Sequence, residues 1–334
     1  MEGGVTVLVP CLNEGRQVDV AYEKLVEALR DIDDLEILFV DDGSTDDSLA
    51  RIRALSRADS RVNYLSFSRN FGLGAVEVAG FRYAAKKWTV QCDADLQVPP
   101  EEIGRLLDKA AEGYDVVFGE RRNRQDPWIR KAGSGALQWL AVRVFGIGFP
   151  PGASNFRVVR SSVARTIAGL GLTWFIPAVS LVGATYALVP VSHQARAEGE
   201  SRLRLSRLVA YSLELFFGFS WRPLTALYAT AALGALLAVV SVVAGLAGGA
   251  GPVLLGSVAV LLGGLALAAL GLIARYLQRL MKQAGRLRPY YVREASILLH
   301  AADALESDAP TPTVRREPAA AKSSGTTGPS VAVG

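Results

Sequence analysis

Short apolar runs alternate with stretches of three- to four-residue apolar spacing along the first 120 or so residues. Val5-Thr6-Val7-Leu8-Val9 is a continuous, β-branched run that stops at Pro10, the pattern of a buried parallel strand. A helix is predicted over Val18 to Arg30. Leu35 to Val40 repeats the strand pattern and ends at Asp41-Asp42-Gly43-Ser44, where Ser44 or Thr45 can cap a helix over Asp47 to Leu55. Val62 to Ser66, Trp88 to Cys92 and Val116 to Phe118 read as further strands, with helices over Ala75 to Ala85 and Glu101 to Glu112. This alternation predicts an α/β, doubly wound sheet whose ligand crevice lies beyond the carboxyl ends of the strands. The polar residues there should converge: Asn13 and Glu14, Asp41 and Asp42, Arg69 and Asn70, Asp93 and Asp95.

The pattern changes completely further on. From Pro223 to Ala274 there is no Asp, Glu, Lys, Arg or His, and one bilayer crossing needs only roughly 20 residues. Gly248, Gly249, Gly251 and Pro252 break the stretch into a transmembrane hairpin of about Leu224 to Ala247 and Val253 to Ala274. Arg202, Arg204, Arg207 and Arg222 precede the hairpin, and Arg275, Arg279, Lys282, Arg286 and Arg288 follow it, while its turn is uncharged. Basic residues at both outer ends put both termini in the cytoplasm, and Met1-Glu2-Gly3-Gly4 is not a signal peptide. The domains expected are an α/β unit over 1–200, an amphipathic interfacial helix over 201–222, the hairpin over 223–274, a cytoplasmic helical return over 275–306 and a disordered tail over 307–334.

Half of the 334 residues are apolar and 20% are charged, so the apolar excess sits mainly in that hairpin. Cys11 and Cys92 are too few for a disulfide framework and are expected to be reduced. The net charge of +4 comes from basic residues beside the spans, without the aromatic-basic signature of a nucleic-acid module. Anionic headgroups and phosphates are the expected partners, and nucleic acid is not. His193 and His300 stand alone and read as structural.

Asp93-Ala94-Asp95 follows an apolar strand and, if extended, places two carboxylates on one side. Hard oxygen ligands of this kind suit Mg²⁺ or Mn²⁺, with water and substrate phosphates completing the shell. Asp42 is a candidate acceptor for ribose hydroxyls and base N–H groups, with Asp41 reading as a helix-capping residue.

Val9-Pro10-Cys11-Leu12-Asn13-Glu14, Val40-Asp41-Asp42-Gly43-Ser44-Thr45-Asp46, Ser68-Arg69-Asn70-Phe71-Gly72 and Asp93-Ala94-Asp95-Leu96-Gln97 resemble four ordered motifs of family 2 glycosyltransferases. Within that family the chain resembles the polyprenyl-phosphate group: dolichol-phosphate mannose synthases, bactoprenol glucosyltransferases and undecaprenyl-phosphate aminoarabinose transferases. The resemblance runs from about Val5 to Val292 and implies a GT-A, Rossmann-like fold. It implies donor binding by Pro10, Leu12, Glu14, Asp42, Arg69, Asn70, Asp93 and Ala94, and a metal, Mg²⁺ or Mn²⁺, held by Asp93, Asp95 and Gln97. Gly119 to Lys131 resembles the family's arginine-rich loop, and Arg196-Ala197-Glu198-Gly199-Glu200-Ser201-Arg202 its basic motif before the membrane. Arginine forks grip phosphate bidentately, so Arg121, Arg124, Arg130, Ser134, Arg196 and Arg202 are expected on the acceptor phosphate. Asp95, Asn155, Arg121 and Arg196 are the expected catalytic residues. Arg288-Pro289-Tyr290-Tyr291-Val292 resembles the family's exit from the membrane and should pack back on the α/β domain.

The sequence departs from the pattern at Leu73 and Arg202, where relatives have lysine, at Val98, where they have aspartate, and at Asn155, where an aspartate regarded as a base often stands. A phosphate monoester is largely dianionic at neutral pH, its second pKa being about 6, so its attack hardly needs a base; Asn155 is assigned a positioning role. The activity implied is inverting, metal-dependent transfer of a sugar, from a UDP-sugar in the favoured case, to polyprenyl (undecaprenyl) phosphate at the cytoplasmic face of the inner membrane. A GDP-mannose-dependent mannose synthase and an inactive membrane paralogue are the alternatives. Some relatives are tetramers, which implies a homo-oligomer. A processive polysaccharide synthase lacks support, because no Gln-x-x-Arg-Trp segment is present.

Overall fold

The computed structural model describes residues 3–121, 135, 137–148, 150, 152–171, 174–192, 212, 215–216, 218–220, 222–248, 251–283, 288–300 and 303. Its eight strands are β1 (Val5–Cys11), β2 (Leu35–Asp41), β3 (Val62–Phe67), β4 (Trp88–Gln91), β5 (Val116–Arg121), β6 (Ala153–Arg160), β7 (Tyr186–Val191) and β8 (Val292–Ala295). The helices are α1 (Gln17–Ala28), α2 (Ser48–Ala58), α3 (Leu73–Tyr83), α4 (Glu102–Ala111), α5 (Ser161–Gly169), α6 (Phe175–Leu181), α7 (Arg222–Gly248) and α8 (Gly251–Gln283), with a π-helical turn at Leu140–Val144.

All eight strands form one sheet in the order β7-β5-β6-β4-β1-β2-β3-β8. The alternation of strand and helix up to β4 produces the expected parallel core, with β1 between β2 and β4 and β3 outside β2. Beyond that the sheet is mixed. β6 runs antiparallel between β4 and β5, β7 is parallel to β5, and β8 is antiparallel on β3. The α/β architecture is as expected, and the mixed part is an addition to it, because β6 takes the place beside β4 that a simple crossover would give to β5.

Alternation along the strands builds two apolar layers. Val5, Val7 and Val9 of β1 and Ile37 and Phe39 of β2 face Val18, Leu25, Ile52, Ile103 and Leu106 on one side. Leu8, Leu38, Val40, Leu65 and Phe67 face Val76, Ala79, Phe81, Ile167 and Phe175 on the other. Both sides are buried, which is why the strands read as unbroken apolar runs. Gly80 lies so close to Leu8 that an added Cβ would come within 2.3 Å of its side chain, so this glycine lets α3 approach β1.

After the sheet come two helices whose candidate spans, Leu227–Gly245 and Gly256–Gln278, are long and apolar enough to cross a bilayer. Almost none of the first span and none of the second is buried, so neither is the core helix of a water-soluble domain. Leu236, Val239, Val243, Val260, Leu267 and Leu270 are all exposed. Apolar surface on this scale fits lipid rather than water and marks the chain as a membrane protein. Gly234 allows Leu262 close contact between the helices.

In the return segment expected as helical over 275–306, α8 runs to Gln283, while Val292–Ala295 is a strand on β3, so the chain packs back on the sheet as expected but not as helix. Asp303 sits buried beyond it, accepting a hydrogen bond from Tyr83 Oη at 2.7 Å and pairing with Arg82 at 3.3 Å and Arg288 at 3.7 Å. Of the expected interfacial helix, 212, 215–216 and 218–219 are described and helical. Leu215 and Phe216 are buried against Ala141 and Ile147, with Phe216 stacked on Phe145 at 4.2 Å. Ser220 is not helical and Arg222 begins α7; the other residues of 201–222 and the tail over 307–334 lie outside the described residues.

Candidate active site at the carboxyl edge of the sheet

The loops after β1 and β2 are locked together by short polar side chains. Asn13, at a positive φ of 55°, donates its amide to Ser44 Oγ at 2.9 Å, and its side-chain oxygen accepts from the Thr45 amide at 2.8 Å. Ser48 Oγ accepts from the amides of Glu14 and Gly15 at 2.9 and 2.8 Å. Ser44 and Thr45, expected as helix caps, are therefore committed to the neighbouring loop. The α2 amide of Ser48 is capped at 3.0 Å by the Asp46 carboxylate.

Asp41 is a brace: one carboxylate oxygen accepts from the Ser44 amide at 3.0 Å and the other from Ser66 Oγ at 2.7 Å. Asp42 points to the loop after β3, where its two oxygens accept the amides of Phe71 at 2.7 Å and Gly72 at 2.9 Å. Each oxygen has a second lone pair, so Asp42 can still accept from a ligand. Burial raises its pKa, with the two amide bonds pulling the other way. Gly43 has no alternative here. Its φ is +71°, and a Cβ would lie 2.5 Å from the Arg69 backbone. The Arg69 guanidinium stands 4.0 Å over the Phe71 ring, so Arg69, Asn70 and Asp42 do share one corner.

At the end of β4 the chain turns instead of staying extended. Leu96 donates its amide to the Asp93 carbonyl at 3.1 Å and has a φ of +50°. Asp93 is thus exposed while Asp95 is half-buried and Ala94 buried. Gln97 lies against Asp95, donating from Nε2 to one carboxylate oxygen at 2.8 Å and from its amide to the other at 3.3 Å. Among the described residues no group of three or more His, Cys, Asp or Glu side chains is placed to hold a metal ion. A divalent ion here would draw on two carboxylates and the Gln97 amide oxygen, a hard-oxygen set that fits Mg²⁺ or Mn²⁺ completed by phosphate oxygens.

Directly behind this turn is a buried polar layer that the sequence reading missed. Arg157 of β6 is fully buried, yet carries its guanidinium to Gln91 Oε1 at 2.5 Å and Glu77 at 2.8 Å, and Gln91 Nε2 donates to the same Glu77 oxygen at 3.0 Å. The guanidinium also lies 4.0 Å from the Phe175 ring centre. Burial lowers the Arg157 pKa, while the negative charges of Glu77 and then Asp93 oppose that shift. Gln91 pairs with Arg157 at the last rung between β4 and β6; half-buried Asn155 lies two residues before Arg157 on β6, and Asp93 two residues beyond Gln91. A polar Gln91 inside an apolar strand was the available signal.

Pro10 and Leu12 flank the β1 end of the same edge, with Leu12 exposed. Arg121 closes β5, paired with Val191. Arg124, Arg130, Ser134, Arg196 and Arg202 lie outside the described residues. Cys11 is buried beside Asp41 and Glu14, and its thiol is pushed up to about 12, first by burial; it is a protonated core residue at neutral pH.

The Glycosyl transferase family 2 model matches residues 6–151. The undecaprenyl-phosphate 4-deoxy-4-formamido-L-arabinose transferase of Edwardsiella ictaluri is 34% identical over 227 residues, which cover 67% of this chain and 70% of that protein. The Bacillus subtilis protein CsbB, whose name specifies a glycosyltransferase without donor or acceptor, is 29% identical over 306 residues, 89% of this chain and 93% of its own. Among solved structures, a mannosyltransferase of Pyrobaculum calidifontis in complex with GDP-mannose and Mn²⁺ is similar over 85% of each chain, at 16% identity and a TM-score of 0.47. With the four motifs at the carboxyl edge of one sheet and the 34% identity to the Edwardsiella ictaluri transferase over 70% of that protein, the chain belongs to the family 2 glycosyltransferases, as a relative of the undecaprenyl-phosphate sugar transferases.

Proposed function

We propose that the protein transfers a sugar from a nucleoside diphosphate, UDP in the favoured case, to the phosphate of a polyprenyl lipid at the cytoplasmic face of the membrane. The observation that carries this reading is the carboxylate turn Asp93–Asp95 and the Asp42 corner at the same edge of the sheet, in a chain whose next elements after β7 are two exposed apolar helices. A lipid phosphate cannot leave the headgroup region, so the cleft must be held there. Basic residues at both outer ends of the hairpin favour cytoplasmic termini. The likeness to the undecaprenyl-phosphate transferase supports the acceptor.

In this reading a phosphate oxygen of the lipid attacks the anomeric carbon as the bond from that carbon to the diphosphate breaks, with inversion. Nucleoside diphosphate leaves, and no proton need move, because the attacking monoester is already largely dianionic. Pro10, Leu12, Glu14, Asp42, Arg69, Asn70 and Ala94 line the donor site. Asp93, Asp95 and Gln97 hold Mg²⁺ or Mn²⁺, which when bound neutralises charge growing on the leaving diphosphate. Arg121, Arg124, Arg130, Ser134, Arg196 and Arg202 orient the acceptor phosphate and offset repulsion between two anions. Asn155, two residues before Arg157 on β6, positions rather than deprotonates.

The test is sugar transfer by purified protein in detergent, with undecaprenyl phosphate, a panel of UDP- and GDP-sugars and Mg²⁺ or Mn²⁺. One donor should give a lipid-linked product that is lost with EDTA and reduced at least about 100-fold by Asp95→Ala. A GDP-mannose product would move the chain to the mannose synthases. Nucleotide binding without transfer from any donor would make Asn155 the mark of an inactive protein.

A further inference from the structure

We propose that Tyr291, on the segment returning from the membrane hairpin, is a positioning residue for the donor site. β8 lies antiparallel on β3 with a slip in register, Ser66 opposite Glu294 and Phe67 opposite Val292. Beyond that bulge the Ser68 amide donates to the Tyr291 carbonyl at 3.0 Å, so the returning chain holds the very start of the loop after β3. Side chains continue the support. Tyr290 stacks on Phe67 at 5.0 Å and is buried. Tyr291 packs on Phe71 at 6.2 Å between ring centres, and Phe71 meets Phe67 edge-on at 5.9 Å.

Phe71 is the residue whose amide reaches Asp42 at 2.7 Å, and the Arg69 guanidinium lies over its ring at 4.0 Å. The loop has no regular structure of its own, and Gly72 after it has a φ of +92°. Local support for the Phe71 and Gly72 amides comes from Phe67 and Arg69 on the Phe71 ring. Their aim at Asp42 is set by where the Phe71 ring is held, and Tyr291 is the ring that holds it from the side of the return segment. The segment that follows the hairpin is thereby joined to the donor corner through Tyr290 and Tyr291.

The inference rests on the reading of the Asp42 corner as the nucleotide site. It is tested with the full-length protein in detergent by calorimetric titration with UDP and with GDP, in the presence of Mg²⁺. Losing one aromatic contact should weaken nucleotide binding by about threefold to tenfold in Tyr291→Ala. The KM for the nucleotide sugar should rise by the same factor, with kcat and the KM for lipid phosphate little changed. Tyr291→Phe, which keeps the ring, should bind like the wild type. Should the alanine variant not fold, Tyr291→Leu keeps apolar bulk without a ring and should show the same direction of change. Glu294→Gln serves as a control that loosens β8 without touching the ring. An unchanged nucleotide Kd in Tyr291→Ala or Tyr291→Leu overturns the inference alone, as does an equal loss in Glu294→Gln. A wild-type protein that binds neither nucleotide overturns it together with the reading it rests on.

Discussion

Arg157 brings a positive charge into the middle of the sheet, where an isolated ion would be far more costly than a neutral side chain. Glu77 and Gln91 make it tolerable, and Gln91 lies two residues before Asp93. Removing one partner leaves the other charge uncompensated. Glu77→Ala should therefore cost about 3–5 kcal/mol of stability, whereas Glu77→Leu with Arg157→Met, which removes both charges, should cost much less. Denaturant melts of the two variants check this, and equal losses would show that packing, not charge pairing, dominates the site. The positions of Asp41, Asp42, Asp93 and Asp95 were legible in the sequence because the strands before them are unbroken apolar runs, whereas Asn155, inside β6, was singled out by resemblance alone. The two amides on Asp42 were not, since every non-proline residue has one and only the fold decides which two meet a carboxylate. The turn at Asp93–Leu96 was likewise hidden: Leu96 at a positive φ gives no compositional warning of the kind a glycine gives.

Among the elements, β8 depends most openly on ionisation. Glu294 is held below the ordinary carboxylate range, first by its hydrogen bond to Arg53 and also by Tyr64 Oη at 2.5 Å; Tyr64 itself is pushed up to about 12, burial leading. A carboxylate with a lowered folded-state pKa stabilises the fold above its unfolded value and loses that contribution as pH falls through the folded one. Wild-type protein should melt above Glu294→Gln at neutral pH, and the difference should shrink steadily below about pH 4.5. A gap that stays constant across that range would remove Glu294 from the account. The first five strands were readable as elements because burial on both faces leaves unbroken apolar runs. β6, β7 and β8 were not, since their places are set by pairing with strands far away in sequence. Phe156-Arg157-Val158 even carries a buried charge where a strand pattern would have an apolar residue.

At the scale of the whole molecule, the hairpin separates a sheet from its own last strand. Phe67 on β3 is covered by Tyr290, and Arg82 and Tyr83 on α3 are tied to Asp303, all from beyond the membrane helices. A protein cut before Arg222 loses β8, uncovers the β3 edge and leaves the Phe67 face wet, which invites edge-to-edge association. That truncation should aggregate. Tyr276 Oη donates to the Ser220 carbonyl at 2.7 Å, so the two ends of the hairpin are adjacent and a short flexible linker can join them. The linked protein keeps residues 288–303 and should be soluble, melt cooperatively and bind nucleotide. Its transfer to polyprenyl phosphate in vesicles should fall at least about tenfold while binding persists, because the lipid phosphate is no longer brought to the cleft. Light scattering, thermal melts and nucleotide titration on the two proteins separate the roles. If the truncated protein is as soluble and stable as the linked one, the return segment is not part of the catalytic fold. If the linked one transfers to vesicles at the full rate, the hairpin is not what holds the cleft at the membrane.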